Sequence, residues 1–537
     1  MSGHHTSTVV PAAPAASAQP RTFFGHPPGL FVLFFTEMWE RFSYYGMRSL
    51  LVLYMLNFLF DPKHLNGQIM GFAAVKGGLE ALFGPLAIQP LSSQIYGLYT
   101  AFVYLTPLFG GMLADRVIGQ RRSVILGAIL MAIGEFTLMS PNLFFPGLIL
   151  LIFGNGCFKP NISTQVGNLY AQGDPRRDQA FTIFYMGINL GAFLSPLVCG
   201  TLGQKVGWHW GFGAAGVGMV LGLIQYLWGQ KYLAPDLRMK TAAGKVEKHK
   251  EPMTKDEWLR VGSLIVLCAL NIVFWACYEQ QGNTMQLWAD QNTNWRFLGV
   301  DIPSSWFQAF NPAMIFMFAP LLNMVWAWQA RKGREPSSVT KMAMGCFMLG
   351  FSYVVMIVAA HGMDPQVRRN VMWLAGTTFI ITIGELYLSP IGLSLVTKVA
   401  PARMVSMMMG MWFLSSFFGN YLSGYLGTFW TRMPKENFFW MLTGLGTAAG
   451  VAMFLLGRPI DKVIGKHDRA GNGASLPGCL ERSGAAPRRL TRGRAPRRHQ
   501  GGADGPQAGA GRTGGSAGRR WGASCSAISA PASARSQ

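Results

Sequence analysis

The chain alternates long apolar runs with short polar or basic breaks over most of its length. Apolar runs occupy about 29–60, 92–115, 122–140, 143–170, 178–203 and 209–232, then about 258–285, 304–328, 340–361, 369–397, 403–429 and 437–457. Each can supply the roughly 20 helical residues that cross a bilayer, and most are apolar all round rather than along one stripe. The pattern predicts an all-α membrane protein with six spans, a basic linker and six more. The expected organisation is a disordered leader over 1–27 without a cleavable signal peptide, a six-helix bundle over 28–232, and a cytoplasmic linker over 233–257. A second six-helix bundle over 258–459 and a disordered basic tail over 460–537 follow.

The first run departs from the pattern. Phe35-Thr36-Glu37-Met38-Trp39-Glu40-Arg41-Phe42-Ser43-Tyr44-Tyr45-Gly46-Met47-Arg48 puts carboxylates, guanidinium groups and phenols inside an apolar helix. An ionisable group at the bilayer centre costs about 2.5–3.5 kcal/mol, so such groups face a bundle interior or a water-filled path. At about 100° per residue, Glu37, Glu40, Arg41, Tyr44, Tyr45 and Arg48 share an arc of roughly 140°. This helix therefore lines something.

Charge and composition narrow the class. The 537 residues are 50% hydrophobic and 13% charged, with 65 Gly, as in polytopic membrane proteins whose helices approach closely. Of the net charge of +22, about +9 lies from His467 onward, where there are twelve Arg, no Lys and three acids. Much of the remainder sits in Arg116, Arg121, Arg122, Arg176, Arg177, the 233–257 linker, Arg331, Lys332, Arg334, Lys398 and Arg403. The positive-inside rule places all these loops and both termini on the cytoplasmic side; Arg368 and Arg369 fall on the other. Nucleic acid is not needed to explain the charge. The tail's abrupt Gly/Ala/Arg/Pro composition resembles GC-rich DNA read in a shifted frame, which sequencing the gene around Lys466 to Gly471 would test. Five of seven Cys lie in apolar runs without metal-like spacing, so no metal site is expected.

Other spans carry buried polar groups too. Gly154-Asn155-Gly156-Cys157-Phe158-Lys159-Pro160-Asn161 places Lys159 about 24 Å into the fourth span, too deep to reach the interface easily. Pro160 frees a backbone carbonyl there. The fifth span carries Asn189, the seventh Phe274-Trp275-Ala276-Cys277-Tyr278-Glu279-Gln280-Gln281, and the eighth begins Trp306-Phe307-Gln308-Ala309-Phe310-Asn311-Pro312. The tenth has Gly384-Glu385-Leu386-Tyr387-Leu388-Ser389-Pro390, and the eleventh Trp412 and Ser416. By depth, Lys159 meets Glu385 and Arg48 meets Glu279, each pair joining the two halves. Protonating either carboxylate would cancel most of its attraction, so such pairs can serve as pH-dependent latches.

Gly110-Gly111-Met112-Leu113-Ala114-Asp115-Arg116-Val117-Ile118-Gly119-Gln120-Arg121-Arg122 resembles the loop motif of the major facilitator superfamily. The Glu-x-x-Glu-Arg-Phe and Tyr-Tyr-Gly motifs of the first span, the Lys159 segment and Phe184-Tyr185-Met186-Gly187-Ile188-Asn189 together resemble its proton-coupled oligopeptide transporter family, from about Phe31 to Pro459. The resemblance implies a twelve-helix major facilitator fold, two six-helix bundles around a central site, without the two additional helices many bacterial members insert between the halves. It implies a proton-driven symporter importing di- and tripeptides across the plasma (bacterial inner) membrane by alternating access, and not an enzyme.

For proton coupling and gating the expected residues are Glu37, Glu40, Arg41, Arg48, Lys159, Glu279 and Glu385. For substrate they are Arg41, Arg48, Tyr44, Tyr45, Tyr104, Lys159, Asn189, Asn311, Glu385, Trp412 and Ser416. The resemblance places Lys159 and Arg41 at the carboxylate end, Glu385, Asn189 and Asn311 at the ammonium and backbone end, and the aromatic residues as walls. Expected partners are small peptides, protons as coupling ion and the lipid bilayer, with no other cofactor and a monomeric carrier. The alternative is a proton-coupled facilitator for another small anion, amino acid or drug.

Overall fold

In the computed structural model, which describes residues 22–63, 69–171, 174–235, 253–364 and 367–473, twelve long helices follow one another. They are α1 Pro28–Tyr54, α2 Ile88–Leu113, α3 Gln120–Leu138, α4 Phe144–Asn168, α5 Arg176–Ser195 and α6 Trp208–Gly229. After residues outside the described set come α7 Lys255–Tyr278, α8 Phe310–Arg331, α9 Ser338–Ala360, α10 Met372–Val399, α11 Val405–Gly427 and α12 Lys435–Gly473. Nine helices among the described residues are long and apolar enough to cross a membrane. α1, α3 and α11 fall short because α1 carries four charged side chains, α3 opens on Arg121-Arg122 and contains Glu135, and α11 is rich in Ser and Gly and holds Asn420. Each of the three packs against neighbouring helices, which bury the four charges of α1 and Glu135 of α3, while Arg122 stays exposed.

The first six helices pack as α1 on α5 and α6, α2 on α4, and α3 on α4 and α6. The last six pack as α7 on α11 and α12, α9 on α10 and α12, and α8 on α10. The bundles meet mainly where α2 lies on α11 and α5 on α8. Glycine makes the first seam possible: a Cβ on Gly97 would lie 2.5 Å from the Gly424 Cα. Within the first bundle α2 and α4 cross so closely that a Cβ on Gly110 would lie 1.9 Å from the Gly156 carbonyl oxygen. Small residues at crossings are what dispersion-driven packing in lipid requires.

Local sequence sets the ends. Thr254 and Glu257 form a reciprocal capping box at the start of α7, and Ser337 caps α9 through the Thr340 amide. Arg369 donates to the carbonyls of Ala359 and His361, so it caps the end of α9. That role accounts for one of the two basic residues on the side the charge rule disfavours.

The structure corrects several expectations. The seventh span breaks near Glu279 into a short turn over Glu279–Gly282 and a further helix Thr284–Asn292. A helix at Phe72–Phe83 fills part of the weakly apolar, Gly-rich stretch between the first two expected spans, where no element was expected. Single turns of π-helix follow α1, α2 and α5, and two-residue strand pairs join 293–294 to 369–370 and 296–297 to 300–301. Residues 22–27, expected to be disordered, form a turn in which Phe23 and His26 exchange backbone hydrogen bonds. His26 Nδ1 bonds the Tyr170 hydroxyl at 2.8 Å and Arg176 donates to the Gly25 carbonyl at 3.0 Å. Helix α12 continues past 459 because Ile460 is buried and Asp461 accepts from Ser337 at 2.6 Å. The rest of the expected leader and tail, and most of the linker, lie outside the described residues.

Candidate functional site

Between the bundles lies a cavity of about 290 Å³ with polar and aromatic walls. A larger depression of about 580 Å³ on the first bundle is lined by side chains such as Met38, Trp39, Phe136 and Trp210 with scarcely a polar atom, as a lipid-facing groove would be. The central cavity is near the lower end of the range for small-molecule sites, about 300–1,000 Å³. Arg48, Tyr45, Tyr104, Lys159 and Asn189 reach it from the first bundle, and Glu279, Asn311, Glu385, Trp412 and Ser416 from the second.

Lys159 and Glu385 do not pair, contrary to the depth reading. Glu385 accepts from the Tyr278 hydroxyl at 2.8 Å and from Asn311 Nδ2 at 2.9 Å, and Asn311 also donates to Thr382. The Lys159 ammonium instead sits over the Tyr104 ring, 4.7 Å from its centroid. Helical depth places groups at one level but leaves their lateral separation undetermined, and here the cavity separates them. Pro160 lies beside Lys159 within α4, as the sequence suggested, but the helix continues through it.

Arg48 does meet Glu279. The two form a buried ion pair across the bundle seam, and Arg48 Nε donates to the Tyr96 hydroxyl at 2.8 Å. The break after α7 turns Glu279 and Gly282 toward this contact; a Cβ on Gly282 would lie 1.8 Å from the Tyr96 hydroxyl oxygen. More seam contacts lie on the same side: Asn57 to Asp290 at 3.1 Å, Ser93 to Asn283 at 2.8 Å, Trp306 to Thr201 at 2.8 Å, and Gln204 to Ser304 at 2.9 Å. They cluster toward the end where α1 and α7 finish.

Glu37, Glu40, Arg41 and Tyr44 are absent from the cavity lining. They form a cluster inside the first bundle, where Arg41 bridges Glu37, at 3.1 Å, and Glu40. Asn155 Nδ2 donates to Glu40 at 3.2 Å. Two carboxylates share one guanidinium, and Glu37 Oε2 has no hydrogen-bond partner. Tyr44 packs under Arg41 at 5.4 Å rather than walling the cavity. Asn189 donates its amide to the Tyr185 carbonyl at 3.0 Å and lines the cavity. Trp412 fits because Gly392 has no side chain; a Cβ there would lie 2.1 Å from the indole.

Several participants went unassigned in the sequence reading. Tyr278, Tyr96 and Asn155 orient charged groups, and Tyr185, Trp275, Gln281 and Gln308 line the cavity. Tyrosines and amides within apolar runs carry little signal, because their partners are set by tertiary packing. The signal available was proximity to motif charges: Tyr278 directly precedes Glu279, and Asn155 lies one turn before Lys159. The loop motif residue Arg121 donates to the carbonyls of Leu233 and Ala234 at 2.7 and 2.6 Å, tying the end of the first bundle to the start of α3.

The family model described as the POT family matches residues 121–236 and 234–441. A peptide transporter of Yersinia enterocolitica, YePEPT, is 33% identical over 476 residues, covering 76% of this chain and 88% of its own. A di-/tripeptide transporter of Lactococcus lactis subsp. cremoris is 31% identical over 507 residues, covering 83% and 98%. A crystal structure of a peptide transporter POT in complex with sulfate superposes with a TM-score of 0.71 at 34% identity, covering 84% of this chain and 98% of that one. A POT family transporter in complex with 5-aminolevulinic acid superposes at 0.69 with 29% identity, covering 82% and 98%. With twelve long helices among the described residues, two bundles and a shared cavity, this multi-pass membrane chain belongs to the POT family of the major facilitator fold.

Proposed function

We propose that this chain is a proton-driven symporter that imports di- and tripeptides by alternating access across the plasma membrane of a bacterium, with both termini cytoplasmic. The observation that carries the reading is the placement of Lys159 and Glu385 on opposite bundles of one cavity, unpaired with each other. A zwitterion needs that arrangement: a cation for its carboxylate, an acceptor for its ammonium, and polar and aromatic walls between. Lys159 takes the carboxylate, while Glu385, Asn311 and Asn189 take the ammonium and the backbone amide. Arg41 acts on the carboxylate end through Glu40 and Asn155 rather than by contact. Tyr45, Tyr104 and Trp412 give side-chain walls with few directional bonds, and Ser416 adds one hydroxyl. Apolar walls discriminate side chains weakly, so a broad peptide range follows.

The inter-bundle seam around Arg48 and Glu279 closes what is then the outer end. External protons reaching Glu279 weaken the seam, and the bundles rock about the cavity. Protons are the coupling ion, and the carrier works as a monomer without other cofactors. The test is uptake of labelled dialanine into proteoliposomes with an imposed inward proton gradient. Accumulation that tripeptides compete and free amino acids do not supports the reading; accumulation independent of the gradient refutes it. A second reading, a carrier of amino-acid-like zwitterions, is favoured by the cavity's modest volume and by the relative bound to 5-aminolevulinic acid. Competition by that compound without competition by tripeptides would select it.

A further inference from the structure

Tyr278 is the last residue of α7, and Glu279 opens the turn that breaks the seventh span. These neighbours in sequence serve different partners. The Tyr278 hydroxyl donates to Glu385 Oε2 of α10 at 2.8 Å, whereas Glu279 pairs with Arg48 of α1 across the seam. Asn311 donates to the same Oε2 at 2.9 Å, and among the described residues no hydrogen bond reaches Oε1. Tyr278 and Glu385 both line the cavity.

The Tyr278 ring has little freedom of its own. It stacks on Phe274 at 5.9 Å and 17° and meets Trp275 edge-on at 5.1 Å, both one turn back on α7. The flanking residues are tied down as well. The Tyr353 hydroxyl of α9 donates to the Cys277 carbonyl at 2.7 Å, and Gln280 Nε2 donates to the Ser423 carbonyl of α11 at 2.9 Å. Tyr278 and Glu279 are what lies between these ties. Consecutive residues at a helix end stand about 100° apart, so a rotation of this short segment that moves one side chain moves the other.

A peptide ammonium brings a further donor to Glu385, whose Oε1 has no protein partner. A hydrogen bond to an ionised group draws its extra strength from the charge, and sharing that charge with an ammonium weakens the phenol's bond. We propose that Tyr278 is a positioning residue through which ammonium recognition at Glu385 loosens the Arg48–Glu279 latch. The proposal rests on the peptide reading of the cavity and adds the link from substrate to gate. Glu279 and Glu385 also lie within electrostatic reach of each other. Tyr278→Phe separates the two routes, because it removes the hydroxyl and keeps both charges.

The experiment uses the full chain in lipid nanodiscs, with nitroxide labels on exposed Leu82 and Leu298 of opposite bundles, at an acidic pH where the wild type populates both distances. Saturating dialanine should raise the ratio of longer to shorter distance by about two- to tenfold, the equivalent of one hydrogen bond. N-acetyl-dialanine, at concentrations that displace labelled dialanine, should leave the ratio unchanged. Tyr278→Phe should show the raised ratio without ligand and no further change with dialanine. A dialanine shift kept in full in Tyr278→Phe overturns the proposal, since charge alone then carries the coupling. So does an equal shift with N-acetyl-dialanine in the wild-type chain, a comparison that needs no variant to fold. Wild-type protein that binds no dialanine refutes the peptide reading instead. Wild-type protein that binds it with no change in distance overturns the proposal and leaves that reading standing.

Discussion

Replacing Glu279 by Gln removes one charge from the seam while keeping its shape. Arg48 and Glu279 are 8% and 1% exposed, so water screens the pair poorly. Two unit charges about 4 Å apart attract by roughly 4 kcal/mol at an effective dielectric constant of about 20. The amide retains a hydrogen bond to Arg48, worth about 1 kcal/mol net, and the Tyr96 bond to Arg48 is untouched. The closed seam should therefore lose on the order of 2–3 kcal/mol, which shifts the open-to-closed ratio by about 30- to 150-fold. Nitroxide labels at Leu82 and Leu298, exposed by 75% and 89% and placed on opposite bundles, report that end by pulsed electron resonance. Wild type should populate the longer distance only as pH falls, because protonation of Glu279 does what the amide does. Glu279→Gln should show it already at neutral pH and should lose gradient-driven accumulation. Identical distance distributions and intact accumulation in the variant would refute the latch and leave the pair a static bridge.

Four other perturbations follow from the geometry. Lys159→Ala should raise KM for unmodified dipeptides by about ten- to hundredfold, the cost of about 1.5–3 kcal/mol for a charge-assisted bond, and C-amidated peptides should be affected much less; Glu385→Gln should show the converse with N-acetylated peptides. Gly110→Ala places a methyl against the Gly156 carbonyl and should destabilise by about 1–3 kcal/mol, read as a lower Tm in detergent; an unchanged Tm would mean the helices are not so closely apposed. In the loop before α5, hydrogen bonds from Arg176 hold the Asp174 carboxyl down, to about 2. That contact is present above the ordinary carboxylate value and lost as pH falls through about 2, so at neutral pH Asp174→Asn should release Arg176 from its anion. Amide exchange of residues 22–27, held through the Gly25 carbonyl, should then quicken.

The twelve spans were legible because hydrocarbon leaves the backbone little choice but helix, and hydropathy reports that choice directly. The interruptions were not. The break at Glu279 and the π-helical turns after α1, α2 and α5 are set by packing, with no composition of their own. Charges were legible as isolated ionisable residues in apolar runs, which is how Glu37, Glu40, Arg41, Arg48, Lys159, Glu279 and Glu385 stood out. Their pairings were legible only in part: Arg48 with Glu279 follows from depth, but Lys159 with Glu385 does not, since depth ignores the width of the space between helices. Glu135 carries the same signal as Lys159, an acid some 15 residues into its run. It lay outside the motifs, and its hydrogen bond from Ser43 is set by the packing of α3 on α1.

The cluster and the latch share α1, and that sharing has a measurable consequence. Arg41 and Arg48 are two helical turns apart, about 10.5 Å along the axis. Arg41 pairs wholly within the first bundle, whereas Arg48 crosses the seam. Protonation of Glu37 or Glu40 therefore cannot weaken the latch by contact; it can do so only if the freed Arg41 lets α1 shift between α5 and α6. Sites at this separation without shared partners ordinarily contribute additively, within about 0.3–0.5 kcal/mol. If α1 moves as a unit, Glu40→Gln and Glu279→Gln will depart from additivity by on the order of 1–3 kcal/mol, the usual range for coupled sites. A double-mutant cycle on the Leu82–Leu298 distance equilibrium measures the term directly. Additivity would make the cluster a proton store independent of the gate, whereas coupling would identify α1 as the element through which a proton loaded in one bundle opens the seam between two.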